Sequence, residues 1–107
     1  MNISAVQARQ LVLKMLKGSI QLSGIAGLRD ARNTKINLLK QWKKLLREIE
    51  RADGQADAEA EKLTVGFLAA EQPDTYIFEL RPKQLGGAIS PRLYELIENF
   101  KENPNGK

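Results

Sequence analysis

Cations recur at helical spacing between residues 35 and 51 and could contact a row of phosphates. They are Lys35, Lys40, Lys43, Lys44, Arg47 and Arg51. Each phosphate that such a side chain neutralises releases counterions, which favours binding to nucleic acid or to another acidic partner. Trp42 falls on the apolar side of the same predicted helix, so no aromatic side chain is left beside the cations to stack on bases. The alternative is a helix face that contacts only solvent.

A second group of polar residues surrounds a glycine pair and could hold an anion. It comprises Arg81, Lys83, Gly86, Gly87, Ser90 and Arg92. Ser90 is the expected N-cap of a helix, and backbone N–H groups at a helix amino terminus bind anions, the more so beside cations. The spacing matches neither a P-loop nor a dinucleotide-binding fingerprint. The alternative is an ordinary connection between a strand and a helix.

The composition argues against catalysis and against a metal site. The chain contains no cysteine and no histidine, which removes thiolate chemistry, the commonest zinc ligands and the usual general base. Asp57, Glu59 and Glu61 alternate along the chain, which spreads them around a helix, and no calcium-loop pattern surrounds them. No serine or tyrosine hydroxyl has a visible activating base. We therefore expect neither an enzyme nor a bound cofactor or metal.

Two segments rich in β-branched and aromatic residues predict a hairpin with apolar side chains on both faces. The strands are expected over 63–70 and 75–81. Two strands alone are marginally stable in water, and their unpaired edges attract another chain. The residues expected at such an interface are Phe67, Leu68, Tyr76, Ile77 and Phe78. We expect a homodimer, a higher oligomer or another protein partner, and the alternative is complete cover by helices of the same chain.

The amino-terminal third predicts one helix and an irregular connection. Ser4 and Gln7 have the spacing of a capping box, so the first helix is expected to begin at Ser4 and to end by Gly18. Residues 19–29 contain two glycines among aliphatic residues, which favours a packed connection or one helical turn. A strand over residues 20–22 is the alternative for this segment.

A long helix is the clearest element of the sequence. Asn33 is a good N-cap, and the periodic pattern continues to about Ala52. The apolar face is expected to contain Ile36, Leu38, Leu39, Trp42, Leu45, Leu46 and Ile49. Because Trp42 is central to this face, we expect the long helix to be the centre of the core.

The remaining segments complete a helix-rich α+β order. A short helix is expected over 55–62. Pro73 is expected at the second position of a type I turn in the hairpin. A last helix is expected from Ser90 to about Asn103, and residues 102–107 are expected to fray. The predicted order is therefore α, short α or loop, long α, short α, β, β, α, with one antiparallel hairpin.

The charge is strongly uneven along the chain. Residues 1–51 hold 11 Lys or Arg and 3 Asp or Glu, whereas residues 52–72 hold 1 and 5. Charge blocks of this kind report on partners, so the basic half is expected to meet an acidic partner or the chain's own acidic segment. The length fits one domain over 1–107, and no apolar run is long enough to cross a membrane. Lack of cysteine is compatible with the cytoplasm, which is the expected location.

These observations favour a small non-enzymatic protein that regulates, inhibits or connects other proteins by contact. The first alternative is a nucleic-acid-binding protein that uses the basic amino-terminal half. The second is a module that binds an anion or a nucleotide at the 81–92 loop.

Overall fold

The chain adopts a two-layer α+β fold in which two helices pack on one face of a three-stranded sheet. In a computed structural model, residues 3–49, 61–83, 94–95, 98–99 and 102 are described. The elements are α1 (Ala5–Met15), β1 (Ile20–Leu22), α2 (Leu28–Ile49), β2 (Leu63–Ala69) and β3 (Tyr76–Pro82). The strand order is β1-β3-β2, and both pairings are antiparallel. The predicted α+β class is confirmed.

Helix α1 begins at the capping box that the sequence predicts. The Ser4 N–H donates to Gln7 Oε1 at 2.9 Å, and the Gln7 N–H donates to Ser4 Oγ at 3.1 Å. These two bonds satisfy donors that the first helical turn leaves without a partner. The helix ends at Met15, and the Gly18 N–H then donates to the Met15 carbonyl at 3.3 Å.

The connection after α1 contains a strand where the main prediction was a loop or a helical turn. Ile20, Gln21 and Leu22 pair with Phe78, Ile77 and Tyr76 of β3, respectively. Ile20 is buried and Gln21 is exposed, as alternation across a sheet requires. Three residues are too few to show this alternation in the sequence, and the partner strand lies more than 50 residues away. The sheet therefore has three strands rather than the two of an isolated hairpin.

Helix α2 begins at Leu28, five residues before the predicted start at Asn33. The Ala31 N–H donates to the Gly27 carbonyl at 2.9 Å, and the Asp30 carboxylate accepts from the Ala26 N–H at 3.0 Å. A carboxylate in the first turn suits the positive end of the helix dipole, so Asp30 caps the helix from inside. The prediction was wrong because this cap uses a side chain within the helix instead of one before it. The predicted continuation of the helix to Ala52 lies outside the described residues.

The core is formed where the two helices meet the inner face of the sheet. Trp42 and Phe78 are its largest fully buried side chains. Around them pack aliphatic residues from both helices, from the connection and from the strands, among them Val12, Ile25, Leu38, Leu45, Leu46 and Val65. At the surface, Arg9 of α1 pairs with Glu48 of α2 at 2.7 Å. The predicted place of Trp42 at the centre of the core is confirmed.

Strands β2 and β3 form the predicted hairpin, with a different turn. The register runs without interruption from Leu63↔Pro82 to Ala69↔Tyr76. Asp74 has a φ of 54°. A type I turn with Pro73 at its second position would need a φ near −90° at the next residue, so the predicted turn type is wrong. Aspartate tolerates the left-handed region better than most residues, which allows this turn without glycine.

Two predicted helices fall largely outside the described residues. Of the short helix expected over 55–62, only Glu61 and Lys62 are described, and they form a turn. Of the helix expected from Ser90 to Asn103, the described positions 94, 95, 98 and 99 are helical. Glu102, expected to begin a frayed tail, is also helical.

Candidate functional site

The solvent side of α2 carries a row of cations, which we call the basic face. It consists of Arg29, Arg32, Lys40, Lys43, Lys44 and Arg47 around Ile36. Spacings of three and four residues keep these positions on one side of a helix. From the first to the last, the row extends about 27 Å along the axis. No acidic residue occurs between Asp30 and Glu48.

The structure brings together four of the six cations that the sequence predicts for this stripe. Lys40, Lys43, Lys44 and Arg47 lie on the basic face. Lys35 is half-buried, because it shares the side of the helix that carries the buried Ala31 and Trp42, and Arg51 lies outside the described residues.

Sequence reasoning missed Arg29 and Arg32 at the start of the basic face. Both precede the predicted start of the helix at Asn33, and both lie on α2, which begins at Leu28. The signal that could have found them is Asp30, a carboxylate suited to the first turn of a helix.

Ile36 interrupts the row of cations with an exposed aliphatic side chain. The sequence pattern assigned Ile36 to the apolar face, and this assignment is wrong, because the side chain is 49% exposed. Each residue turns a helix by about 100°, so Ile36 lies about 160° around the axis from the buried Leu38. Arg29 and Arg32 precede it by two turns and one turn, and Lys40 and Lys43 follow it at the same spacings.

One cation of the basic face is neutralised within the chain. Lys43 Nζ lies 2.7 Å from Glu61 Oε1, and Lys83 Nζ lies 2.8 Å from Glu61 Oε2. The hydrogen bonds from Lys43 and then Lys83 lower the pKa of Glu61 to about 2. Glu61 thus links α2 to the end of β3, next to the main-chain bond between the Lys83 N–H and the Lys62 carbonyl.

Four other cations of the basic face contrast with Lys43. Within the part of the chain that the structure describes, Arg29, Arg32, Lys40 and Lys44 form no ion pair.

The five predicted interface residues divide between the two faces of the sheet. Phe78 and Tyr76 are 0% and 9% exposed on the inner face, and Phe67 packs beside them with ring centroids 5.7 and 6.0 Å away. Tyr76 and Phe78 therefore belong to the core, and the partly buried Phe67 packs against it. Leu68 and Ile77 are opposite each other on the outer face, where Leu68 is 49% exposed.

The described part of the predicted anion loop has its cations engaged by carboxylates. Arg81 pairs with Glu79 on the outer face, and Lys83 pairs with Glu61. The Arg81 side chain also covers Gly66, since a Cβ placed on Gly66 would lie 2.7 Å from Arg81 Cδ. The other predicted members of this site, Gly86, Gly87, Ser90 and Arg92, lie outside the described residues.

Among the described residues, no three or more potential Asp or Glu ligands cluster as a metal site would require. In the same part of the chain, no helix combines the length and the apolar character needed to cross a membrane. Comparison of the chain with models of protein families, with curated proteins and with solved structures finds no match.

Proposed function

We propose that this protein is a non-enzymatic binding protein that regulates, inhibits or connects other proteins, and that its basic face binds an acidic protein surface. One observation carries the proposal. Ile36 exposes half of its side chain at the centre of a row of cations, four of which have no ion-pair partner among the described residues. Protein interfaces have this composition, with an apolar contact at the centre and charged groups around it.

The cost of the charge arrangement supports the same proposal. Lys40 and Lys44 are one turn apart, and like charges at this spacing destabilise a helix by about 0.2–0.5 kcal/mol. An acidic partner would relieve this repulsion and would be attracted to the basic face before contact. A chain without cysteine suits a reducing compartment, so we take the cytoplasm as its place of action.

The test compares two exposed aliphatic residues on different helices. Ile36→Ser removes the apolar centre of the basic face, and Val6→Ser removes the 68% exposed Val6 of α1 as the matched control. Both variants and the wild type are used to capture proteins from nuclease-treated lysate of the source cell, with quantification by mass spectrometry. We expect an acidic protein whose capture falls about tenfold with Ile36→Ser, the effect of losing a central interface residue, and is retained with Val6→Ser. Capture of the same proteins in the same amounts by Ile36→Ser would contradict the proposal.

A second candidate function is binding to nucleic acid, and the length of the basic face favours it. Cations distributed over about 27 Å of helix can contact several successive phosphates. The matched variants are Lys40→Gln, Lys44→Gln and Arg47→Gln together, against a control with Lys14→Gln on α1 and Lys17→Gln just after it. If the candidate is correct, only the first variant loses affinity for a duplex of about 20 base pairs at about 50 mM salt, together with part of the salt dependence. Absence of wild-type affinity for the duplex under these conditions would exclude binding to nucleic acid. Ile36→Ser distinguishes protein binding from nucleic-acid binding, because it leaves the cations that would contact phosphates intact.

A further inference from the structure

The two edges of the sheet are built differently. On one side, β1 covers only residues 76–78 of β3, and the uncovered end of β3 carries Pro82, which has no N–H to offer. Short edge strands and proline are devices that prevent a sheet from pairing with another chain. On the other side, β2 is seven residues long, and no described strand pairs with its outer edge. Its sequence, LTVGFLA, contains no charge and no proline, and its register has no bulge.

The main-chain groups that β2 presents at this edge follow from the hydrogen bonds at its two ends. The Ala70 N–H donates to the Thr75 carbonyl at 2.9 Å, and the Lys83 N–H donates to the Lys62 carbonyl at 2.8 Å. In an antiparallel pair, residues that bond to the partner strand alternate with residues that face away. Even-numbered residues of β2 therefore bond to β3. The N–H and C=O groups of Leu63, Val65, Phe67 and Ala69 point to the outer edge.

We infer that two copies of this chain pair through the outer edges of β2, antiparallel and with Gly66 on the twofold axis. In this register, Val65 pairs with Phe67 of the second copy and Leu63 pairs with Ala69. Each of the four outward-facing residues then exchanges two main-chain hydrogen bonds with its opposite residue in the second copy, which gives about eight bonds. The apolar inner faces continue across the junction, and Leu68 comes to lie beside Thr64 of the second copy on the outer face.

A second copy fits this edge because the strand is self-complementary. The seven residues are centred on Gly66, and a twofold axis there makes the contact closed, as in most homodimers. The result is one six-stranded sheet, a size typical of stable sheets. Because the twofold axis is perpendicular to the sheet, the α2 helices of both copies lie on the same face of the sheet. Both basic faces are therefore exposed on one side of the dimer. The inference does not depend on the identity of the partner of the basic face.

The first test measures mass in solution. Ala69 is exposed, and its N–H faces the outer edge, so Ala69→Pro removes an intermolecular donor without removing a bond to β3. We expect sedimentation to show a dimer of the 12.0 kDa chain at about 50 µM and a monomer for Ala69→Pro, with an unchanged circular dichroism spectrum. Ile77→Lys is the control, because Ile77 lies on the outer face of the central strand. Loss of the dimer with Ile77→Lys would overturn the inference in favour of stacked sheets.

The second test fixes the register and holds even if Ala69→Pro unfolds. The chain has no cysteine, so introduced thiols have no competitors. In the inferred dimer, Thr64 and Leu68 of the two copies form a pair without mutual main-chain bonds, with Cβ atoms about 4.5–5.5 Å apart. The double variant Thr64→Cys, Leu68→Cys should therefore become a covalent dimer on mild oxidation, and each single variant should not. A monomeric wild type, or equal cross-linking of single and double variants, would overturn the inference.

Discussion

The two sides of α2 affect the stability of the folded chain in opposite directions. The inner side carries Leu38, Trp42, Leu45 and Leu46, each at most 1% exposed, and their burial stabilises the folded chain. The outer side carries the basic face, whose cations repel one another. Residues that determine the fold and residues that can select a partner are therefore separate, although they alternate along one helix. Substitutions on the two sides should consequently change different properties.

The largest expected effect comes from the inner side, with Trp42→Ala. Truncation of a fully buried aromatic side chain costs about 3–5 kcal/mol, which is a large part of the stability of a small domain. Chemical denaturation measures this change. Ile36→Ala is the control on the outer side of the same helix, and its effect should be within about 0.5 kcal/mol. Equal effects of the two substitutions would mean that the two sides do not differ as described.

The second expected effect concerns a polar group on the inner side. Thr34 is fully buried, and its hydroxyl donates to the Asp30 carbonyl at 2.9 Å. Thr34→Val retains the shape and removes the hydrogen bond, so we expect a loss of about 0.5–1.5 kcal/mol in the free energy of unfolding. Thr64→Val, on the outer face of the sheet, is the control and should change stability less. A more stable Thr34→Val protein would show that the hydroxyl contributes nothing there.

The sequence predicted those elements whose signals are local and regular. The capping box of Ser4 and Gln7 placed the start of α1, and the periodicity around Trp42 placed the core side of α2. The hairpin followed from two β-rich segments separated by Pro73. In each of these cases, residues close together in the chain determine the outcome.

The features that the sequence did not predict depend on distant contacts or on small angular differences. Strand β1 exists because β3 lies beside it, and three residues carry no periodic signal. Ile36 was placed inside because apolar residues surround it in the sequence, although its angle around the helix takes it outside. Of the candidate sites, the cations of the long helix were predicted except for Arg29 and Arg32 at its start. These two were missed because the helix was predicted to begin after them, at Asn33. Both faces of the hairpin carry apolar residues, so only the position of the helices shows which face is buried.

The third expected effect is small and comes from the outer side. Lys40→Gln and Lys44→Gln together remove one like-charge pair, so the free energy of unfolding should rise by about 0.2–0.5 kcal/mol at low salt. The gain should disappear near 1 M salt, where the screening length is about 3 Å. Denaturation at the two salt concentrations checks both statements. A loss of stability at low salt would mean that these lysines contribute to the fold, contrary to the comparison of the two sides.

The smallest expected effect concerns Glu61, where the basic face meets the chain's own acid. Its pKa is lowered from 4.5 to about 2 by Lys43 and Lys83, so the folded chain keeps the carboxylate ionised at a pH at which the unfolded chain protonates it. The resulting stability is complete above pH 4.5, decreases as the pH falls below this value, and is lost at about pH 2. Glu61→Gln lacks this contribution, so the wild type should exceed the variant in stability at pH 6, and the two should converge towards pH 2.

Denaturation midpoints measured across this pH range give the difference between wild type and Glu61→Gln. Glu71→Gln in the hairpin loop is the control, because Glu71 forms no ion pair with the described residues, and its difference from wild type should not follow this course. Since the ion pairs of Glu61 are exposed, the excess stability of wild type over Glu61→Gln should also shrink as salt is added.

Removing the carboxylate additionally frees Lys43, so Glu61→Gln should bind an acidic partner more tightly than wild type. A variant less stable than wild type at pH 6 but unchanged in binding would restrict Glu61 to joining α2 and β3, and would place Lys43 outside the contact surface.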